Sequence, residues 1–389
     1  MSMWLLGKVL TRLVRKGTLT VTDHRGTIHR FGEADPAFPD IAIRLTDGRV
    51  PLDLVKSPEL GAAETFMDGR MVIDRDDILG FITLIQQNNP WERDRHIDPP
   101  GGLRHRIGRL TKPLIPTNLP GRSRQNVAHH YDLDGRLYEL FLDADRQYSC
   151  AYYARPDMTL EEAQEAKKAH IAAKLALAPG QHVLEIGCGW GGMALYLHRH
   201  FGVEVTGITL STEQLAYARE RAAEAGVSDK VHFELIDYRA VTGRFDRIVS
   251  IGMFEHVGQA HFAEFFRTCH NLLTPDGVML LHTIGRSDGP NVTDAFTRKY
   301  IFPGGYIPAM SEVLAAIEPH NLMVTDIEIL RLHYARTLRE WYARTVANRT
   351  AIEALYDARF FRMWTFYLAG AICAFEYRAL VNFQLQIVR

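Results

Sequence analysis

The 389-residue chain is 47% hydrophobic and carries 45 basic against 46 acidic residues, for a formal charge of −1. That balance excludes a global field for nucleic acid or another highly charged partner, so any electrostatic preference must be local. The length allows more than one domain and a sizeable core.

The N-terminal run MSMWLLGKVLTRLVRKG has Lys8 and Arg12 inside its apolar stretch and no small-residue cleavage site after it, so it reads as part of the folded protein rather than a signal peptide. Projected as a helix over residues 4–16, it sets Leu6, Val9, Leu10 and Leu13 on one side and Lys8, Arg12 and Arg15 on another. Such a helix can lie in an anionic membrane interface, or pack on its own domain with its charges solvated. Residues 1–100 mix β-like runs (TLTVTDHRGTIHRFG, IAIRLTDGRVPLDL) with an acidic helical piece around PELGAAETFMDGRMVID, which predicts a small α+β domain. Residues 101–124 form a linker rich in proline and glycine. Every charged residue in it is basic: Arg104, Arg106, Arg109, Lys112, Arg122 and Arg124.

From residue 125 strands and helices alternate. HVLEIG (182–187), VEVTGITL (203–210), VHFELI (231–236), FDRIVSIG (245–252), GVMLLHTIG (277–285) and LMVTDIEIL (322–330) read as strands separated by helices, the pattern of a parallel sheet covered on both faces. A long helical insertion over about 336–380 precedes a last strand, LVNFQLQIVR. The longest uncharged segment there, Met363 to Phe375, is 13 residues, short of the roughly 20 that span a bilayer. Cys150, Cys188, Cys269 and Cys373 lie far apart with no CxxC pair, which indicates neither a metal site nor a disulfide framework and fits a reducing cytoplasm.

The first of these strands runs into VLEIGCGWGG, which places Gly187, Gly189, Gly191 and Gly192 at the strand-to-helix turn where an open α/β sheet binds its ligand. Gly187, Gly189 and Gly192 formally satisfy GxGxxG, so a nicotinamide dinucleotide competes for the site. A dinucleotide site wants an acid about 20 residues further on to hold the ribose, but the second strand ends GITLS, with Thr209 and Ser211. The acid here precedes the glycines, as Glu185, and Asp237 follows the third strand, where it can accept from an adenine amino group.

LEIGCGWGG, GITLSTEQ, IDYR and SIGMFEHVG, with HHYDLDGRLYELFLDADRQYSCAYY (129–153), RKYIFPGGYIP (298–308), HYARTLREWYARTVANR and RMWTFYLAGAICAFEYR, resemble the catalytic part of the cyclopropane-fatty-acyl-phospholipid synthase and mycolic acid cyclopropane synthase family. The likeness covers residues 125–389, and ETFMDGRMVID resembles the synthase's N-terminal domain. It implies a class I methyltransferase, Rossmann-like, with a seven-stranded sheet and helical insertions beside a smaller N-terminal α+β domain. The cofactor it implies is S-adenosylmethionine, with Tyr148 and Ser149 on the sulfonium side, Gly187 and Gly189 under the methionine portion, Thr209 and Gln214 near the ribose, and Asp237 and Tyr238 near the adenine. Trp190 either packs on the cofactor or shapes the turn.

The implied reaction is methyl transfer to a cis double bond of a phospholipid acyl chain, with ring closure as bound bicarbonate removes a proton. The resemblance gathers Cys150, Glu255, His282, Ile284 and Tyr334 around that anion. Each has an ordinary alternative: Glu255 as a helix-start acid, His282 as a satisfied core histidine, Cys150 as a small buried hydrophobe and Tyr334 as a packing aromatic. One departure stands out, since relatives carry a cysteine where Ala371 stands and this chain offers Cys373 instead. The resemblance also implies cytoplasmic location, peripheral contact with the membrane through the N-terminal domain, and a homodimer. Rival readings are a fatty-acyl methyltransferase that leaves a methyl-branched or methylene product, a methyltransferase for a soluble small molecule, and a non-enzymatic lipid-binding protein.

Overall fold

A computed structural model describes residues 2–92 and 134–389; the basic stretch 101–124 lies outside the described residues. Two compact units emerge, one from residues 2–92, 294–301 and 338–379 and the other from 134–293, 302–337 and 380–389. The boundaries expected at 100 and 124 fall outside the described residues, while the helical stretch 338–379, expected inside the catalytic domain, joins the first unit.

In the first unit, β1 (Thr18–Thr22), β2 (Ile28–Phe31), β3 (Asp40–Leu45) and β4 (Met71–Ile73) form a sheet of order β2-β1-β3-β4. DIAIRL buries every second residue, Ile41, Ile43 and Leu45, as a strand with one solvated face must. The N-terminal helix runs over Ser2–Leu13 and turns Leu6 and Leu10 into this unit's core, joined by Val14 just beyond its end. Packing on its own domain is thus the use made of that apolar face, while Trp4, 61% exposed, and Lys8 stack on the outer side. Cys373, in the helix Ala358–Tyr377, belongs to the same core, with its Sγ 3.5 Å from Thr83 Oγ1.

The second unit is a seven-stranded sheet built from β5 (His182–Ile186), β6 (Glu204–Thr209), β7 (Val231–Leu235), β8 (Phe245–Ile251), β9 (Leu273–Arg286), β10 (Met323–Ile329) and β11 (Leu380–Val388). Its order is β10-β11-β9-β8-β5-β6-β7. All seven expected strands form. Six run in one direction, but β11 lies antiparallel between β9 and β10, so the sheet is mixed rather than wholly parallel. Leu184, Ile186 and Ile248 pack to one side with Phe262, Phe265 and Phe266, and Val183, Val205 and Val249 to the other with Ile171, Leu175 and Leu197. Helices on both faces require this two-sided apolar character of the central strands. β5 has β6 on one side and β8 on the other, which makes its carboxyl end the switch point of the sheet.

Candidate active site

Two turns at that switch point need glycine. Gly187, at φ +86°, would place a Cβ 2.9 Å from Met253 Cβ, and Gly191, at φ +81°, would place one 2.8 Å from the Phe233 ring and 2.9 Å from Ala218 Cβ. An L side chain at either position meets a left-handed backbone and a neighbour in van der Waals overlap. The amides of Gly187 and Cys188 both donate to Ile208 O at 2.9 Å, which folds the turn over the end of β6. The turn opens on a cavity walled by residues at the carboxyl ends of β5, β6, β7 and β8 and by the segment Arg146–Ser149. Tyr148, Ser149, Gly187, Gly189, Thr209, Gln214, Asp237 and Tyr238 all lie on its wall.

Their local bonds are specific. Thr209 Oγ1 donates to Gln214 Oε1 at 3.1 Å and accepts the Ser211 amide, while Ser211 Oγ caps the next helix at Gln214 N. The Asp237 carboxylate is gripped by Arg239, with Nε on Oδ1 at 2.8 Å and Nη2 on Oδ2 at 2.7 Å. Tyr238 faces the cavity but also packs edge-on against Phe265 at 5.2 Å, and burial pushes its phenol pKa up. Trp190 lines the cavity and packs edge-on against Tyr138 and Tyr217.

The five residues of the second set are all in the same unit, on different elements. Glu255 sits in the short turn Phe254–His256, between cavity-lining Met253 and His256. Its Oε1 accepts the Ile284 amide at 2.6 Å, and Oε2 is buried with no hydrogen bond; the nearby Thr283 hydroxyl donates instead to Ile284 O. Burial raises this carboxyl to about 7 against the help of the Ile284 amide. His282 lies two residues before Ile284 on β9, with Nε2 3.0 Å from Asn382 Nδ2 and Nδ1 3.1 Å from Gln384 Nε2. Gln384 Oε1 has no partner, so rotating that amide gives Nδ1–H an acceptor while Asn382 donates to Nε2. Burial lowers His282 to about 3, which keeps it neutral.

The Cys150 thiol meets Ala151 O at 3.4 Å. Its segment is tied to the helix Arg331–Ala347, which carries Tyr334 in its first turn: Ala151 N donates to Thr337 Oγ1 at 3.1 Å and Tyr153 N to His333 Nδ1 at 3.0 Å. The structure thus couples Glu255 to Ile284 directly and Cys150 to the Tyr334 helix, while His282 spends both ring nitrogens on β11. Among the described residues no cluster of His, Cys, Asp or Glu is placed to hold a metal ion, and no helix is long and apolar enough to cross a membrane.

Three further titratable groups stand at or near this cavity, of which the sequence singles out Glu185 but not His256 or Lys167. Glu185 is buried with Oε2 unbonded, and burial raises it to about 8 despite the opposing field of Lys167. His256 lines the cavity and is lowered to about 4 by burial. Lys167, wholly buried, carries a legible signal: helical spacing puts it in one stripe with Leu160, Ala163, Gln164, Ile171 and Leu175.

Six co-directional strands and one reversed strand, β11, with a glycine turn at the switch point opening on a cavity, define a class I methyltransferase. The family model described as mycolic acid cyclopropane synthetase matches residues 120–385. A cyclopropane-fatty-acyl-phospholipid synthase of Escherichia coli is 37% identical over 88% of this chain and 89% of its own. A probable fatty acid methyltransferase of Pseudomonas putida is 41% identical over 64% of this chain and 65% of its own, so the match spans under two thirds of that relative. The crystal structure of a mycolic acid cyclopropane synthase complexed with SAH and CTAB superposes with a TM-score of 0.65 at 35% identity, covering 68% of this chain and 98% of that one. The chain belongs to the mycolic acid cyclopropane synthetase family and is an S-adenosylmethionine-dependent methyltransferase.

Proposed function

We propose that this protein is a cyclopropane-fatty-acyl-phospholipid synthase, acting on the cis double bond of unsaturated phospholipid acyl chains with bicarbonate as the base. When bound, S-adenosylmethionine supplies an electrophilic methyl group. The alkene would take that carbon as its bond to sulfur breaks, and bicarbonate held by the protein would accept the methyl proton lost as the resulting cation closes to a ring. The cavity suits such a ligand: Glu185 Oε2 is an orphaned buried acceptor that a ligand ammonium would satisfy, and the glycine turn lets the main chain approach closely. Tyr148, Ser149, Gly187, Gly189, Thr209, Gln214, Asp237 and Tyr238 would hold it.

The observation that carries the reading is Glu255. A buried carboxyl with one oxygen fixed by the Ile284 amide and the other unbonded, in a turn that walls the cavity, is placed to orient a small proton-accepting anion. The Ile284 and Cys150 main chain and the Tyr334 hydroxyl would complete its hold, and His282 would join by exchanging one of its bonds to β11. Apolar walls such as Ile186, Ile208, Ile236 and Ile251 keep water from the cation. The same reading has the enzyme act from the cytoplasm on the membrane's inner face, where exposed Trp4 and Leu5 beside Lys8 and Arg12 suit an anionic interface.

The Pseudomonas relative favours a second reading, methylation without ring closure. Turnover on vesicles of a cis-monounsaturated phospholipid, followed by gas chromatography with mass spectrometry, decides: a cyclopropane product is expected, a methyl-branched or methylene product supports the second reading, and no release of S-adenosylhomocysteine sinks both.

A further inference from the structure

Lys167 is a charged group that the proposed chemistry does not use. Its side chain is 0% exposed, and its ammonium hydrogen-bonds to two neutral oxygens, Gln147 Oε1 at 2.5 Å and Ser149 Oγ at 2.8 Å. The nearest carboxylates serve other partners. Asp145 takes Lys168 and Gln147 on Oδ2 and Arg221 on Oδ1, and Asp143 accepts the amides of Asp145 and Gln147 at 3.0 Å each. A buried ammonium held by neutral acceptors leaves a positive charge that favours an anion nearby.

The geometry says where that anion goes. A serine hydroxyl carries one proton, and Ser149 Oγ already accepts from Lys167, so its own O–H is left for a further acceptor. Ser149 and Gln147 are walls of the cofactor cavity, beside Tyr148 and Glu185. Gln164 Nε2 fixes this segment from behind, donating to Ser149 O at 3.0 Å and Gln147 O at 3.2 Å. The cavity therefore presents a directional donor, polarised by a cation in contact behind it, on a braced main chain. Burial lowers Lys167 to about 8, with Asp143 and Asp145 opposing, so the charge is present at neutral pH.

We propose that Lys167 is a positioning residue for the carboxylate at the amino-acid end of the methyl donor, acting through the Ser149 hydroxyl. This rests on the assignment of the cavity to S-adenosylmethionine. The carboxylate takes the Ser149 proton in a hydrogen bond, and Lys167 sets both its direction and its strength.

Isothermal titration of the full chain with S-adenosylhomocysteine and with 5′-methylthioadenosine, which shares the nucleoside thioether but lacks the amino-acid end, tests it. Lys167→Met is expected to weaken S-adenosylhomocysteine on the order of tenfold to a hundredfold, the worth of a hydrogen bond to a charged group, and to leave 5′-methylthioadenosine within about twofold. Unchanged affinity for both ligands, or a parallel loss of both, overturns the proposal. Should Lys167→Met fail to fold, as judged by its melting curve, Ser149→Ala reads the same selectivity: loss confined to S-adenosylhomocysteine supports the proposal and equal binding overturns it. A wild-type chain that binds neither ligand refutes the cofactor assignment itself.

Discussion

Glu255→Gln separates the chemistry of one carboxyl from its structural cost. The folded carboxyl sits at about 7 against an ordinary 4.5 because it is buried; at 1.36 kcal/mol per pH unit, that gap is worth about 3 kcal/mol. The raised value means that the folded state holds the proton longer than the unfolded chain does. Stability from this residue is therefore greatest below 4.5, falls as pH rises from there to about 7, and stays reduced above. Glutamine keeps an oxygen for the Ile284 amide and has no proton to lose, so its curve lacks that decline; its new N–H₂ at the unbonded position costs about 1–3 kcal/mol at every pH. Urea denaturation at pH 5 and pH 8 should show the variant gaining about 2–3 kcal/mol on wild type between the two. Glu185, likewise raised, is common to both proteins and cancels. In turnover assays the variant should lose roughly two to four orders of magnitude in kcat with S-adenosylhomocysteine affinity kept. In wild type, kcat/KM should rise through an apparent pKa near 7. Parallel stability curves would show that Glu255 is not held protonated by burial, and full activity in the variant would remove it from the mechanism.

Other expectations follow from single contacts. Gly191→Ala forces a left-handed alanine against Phe233 and Ala218, and urea midpoints should report a loss of about 2–4 kcal/mol. Asp237→Ala releases Arg239 and removes the expected adenine acceptor. By calorimetry it should weaken S-adenosylhomocysteine and 5′-methylthioadenosine alike, by about tenfold, whereas selective loss of one would misplace the residue. Asn382→Leu strips the donor from His282 Nε2 and leaves a buried ring nitrogen unpaired, at about 1–3 kcal/mol; turnover should fall with cofactor affinity unchanged, and unaltered kcat would make His282 purely structural.

Much of the fold is local in origin and hence readable along the chain. VEVTGITL and FDRIVSIG announce strands by their apolar runs, and GCGWGG announces a turn that needs glycine. The alternation in DIAIRL gives the buried set of β3 outright. The site was less legible. Glu255, Ile284 and His282 could be named only by likeness, because a carboxyl's partner 29 residues away leaves no periodic trace. Asn382 and Gln384 alternate with Val381, Phe383 and Leu385 as a solvated face would; pairing between β9 and β10 turned that polar face inward onto His282.

By itself, then, the sequence determined the elements, the two-sided core of the sheet and the glycine turn, since these depend on backbone freedom and on the spacing of apolar side chains within a few residues. Tertiary structure decided that β11 enters antiparallel, that residues 338–379 pack with the N-terminal unit, that Glu255 keeps its proton to about 7, and that Lys167 stands behind Ser149. Protonation and hydrogen-bond direction follow from what is excluded from water and what stands within about 3 Å, and both arise only when distant segments close around a side chain.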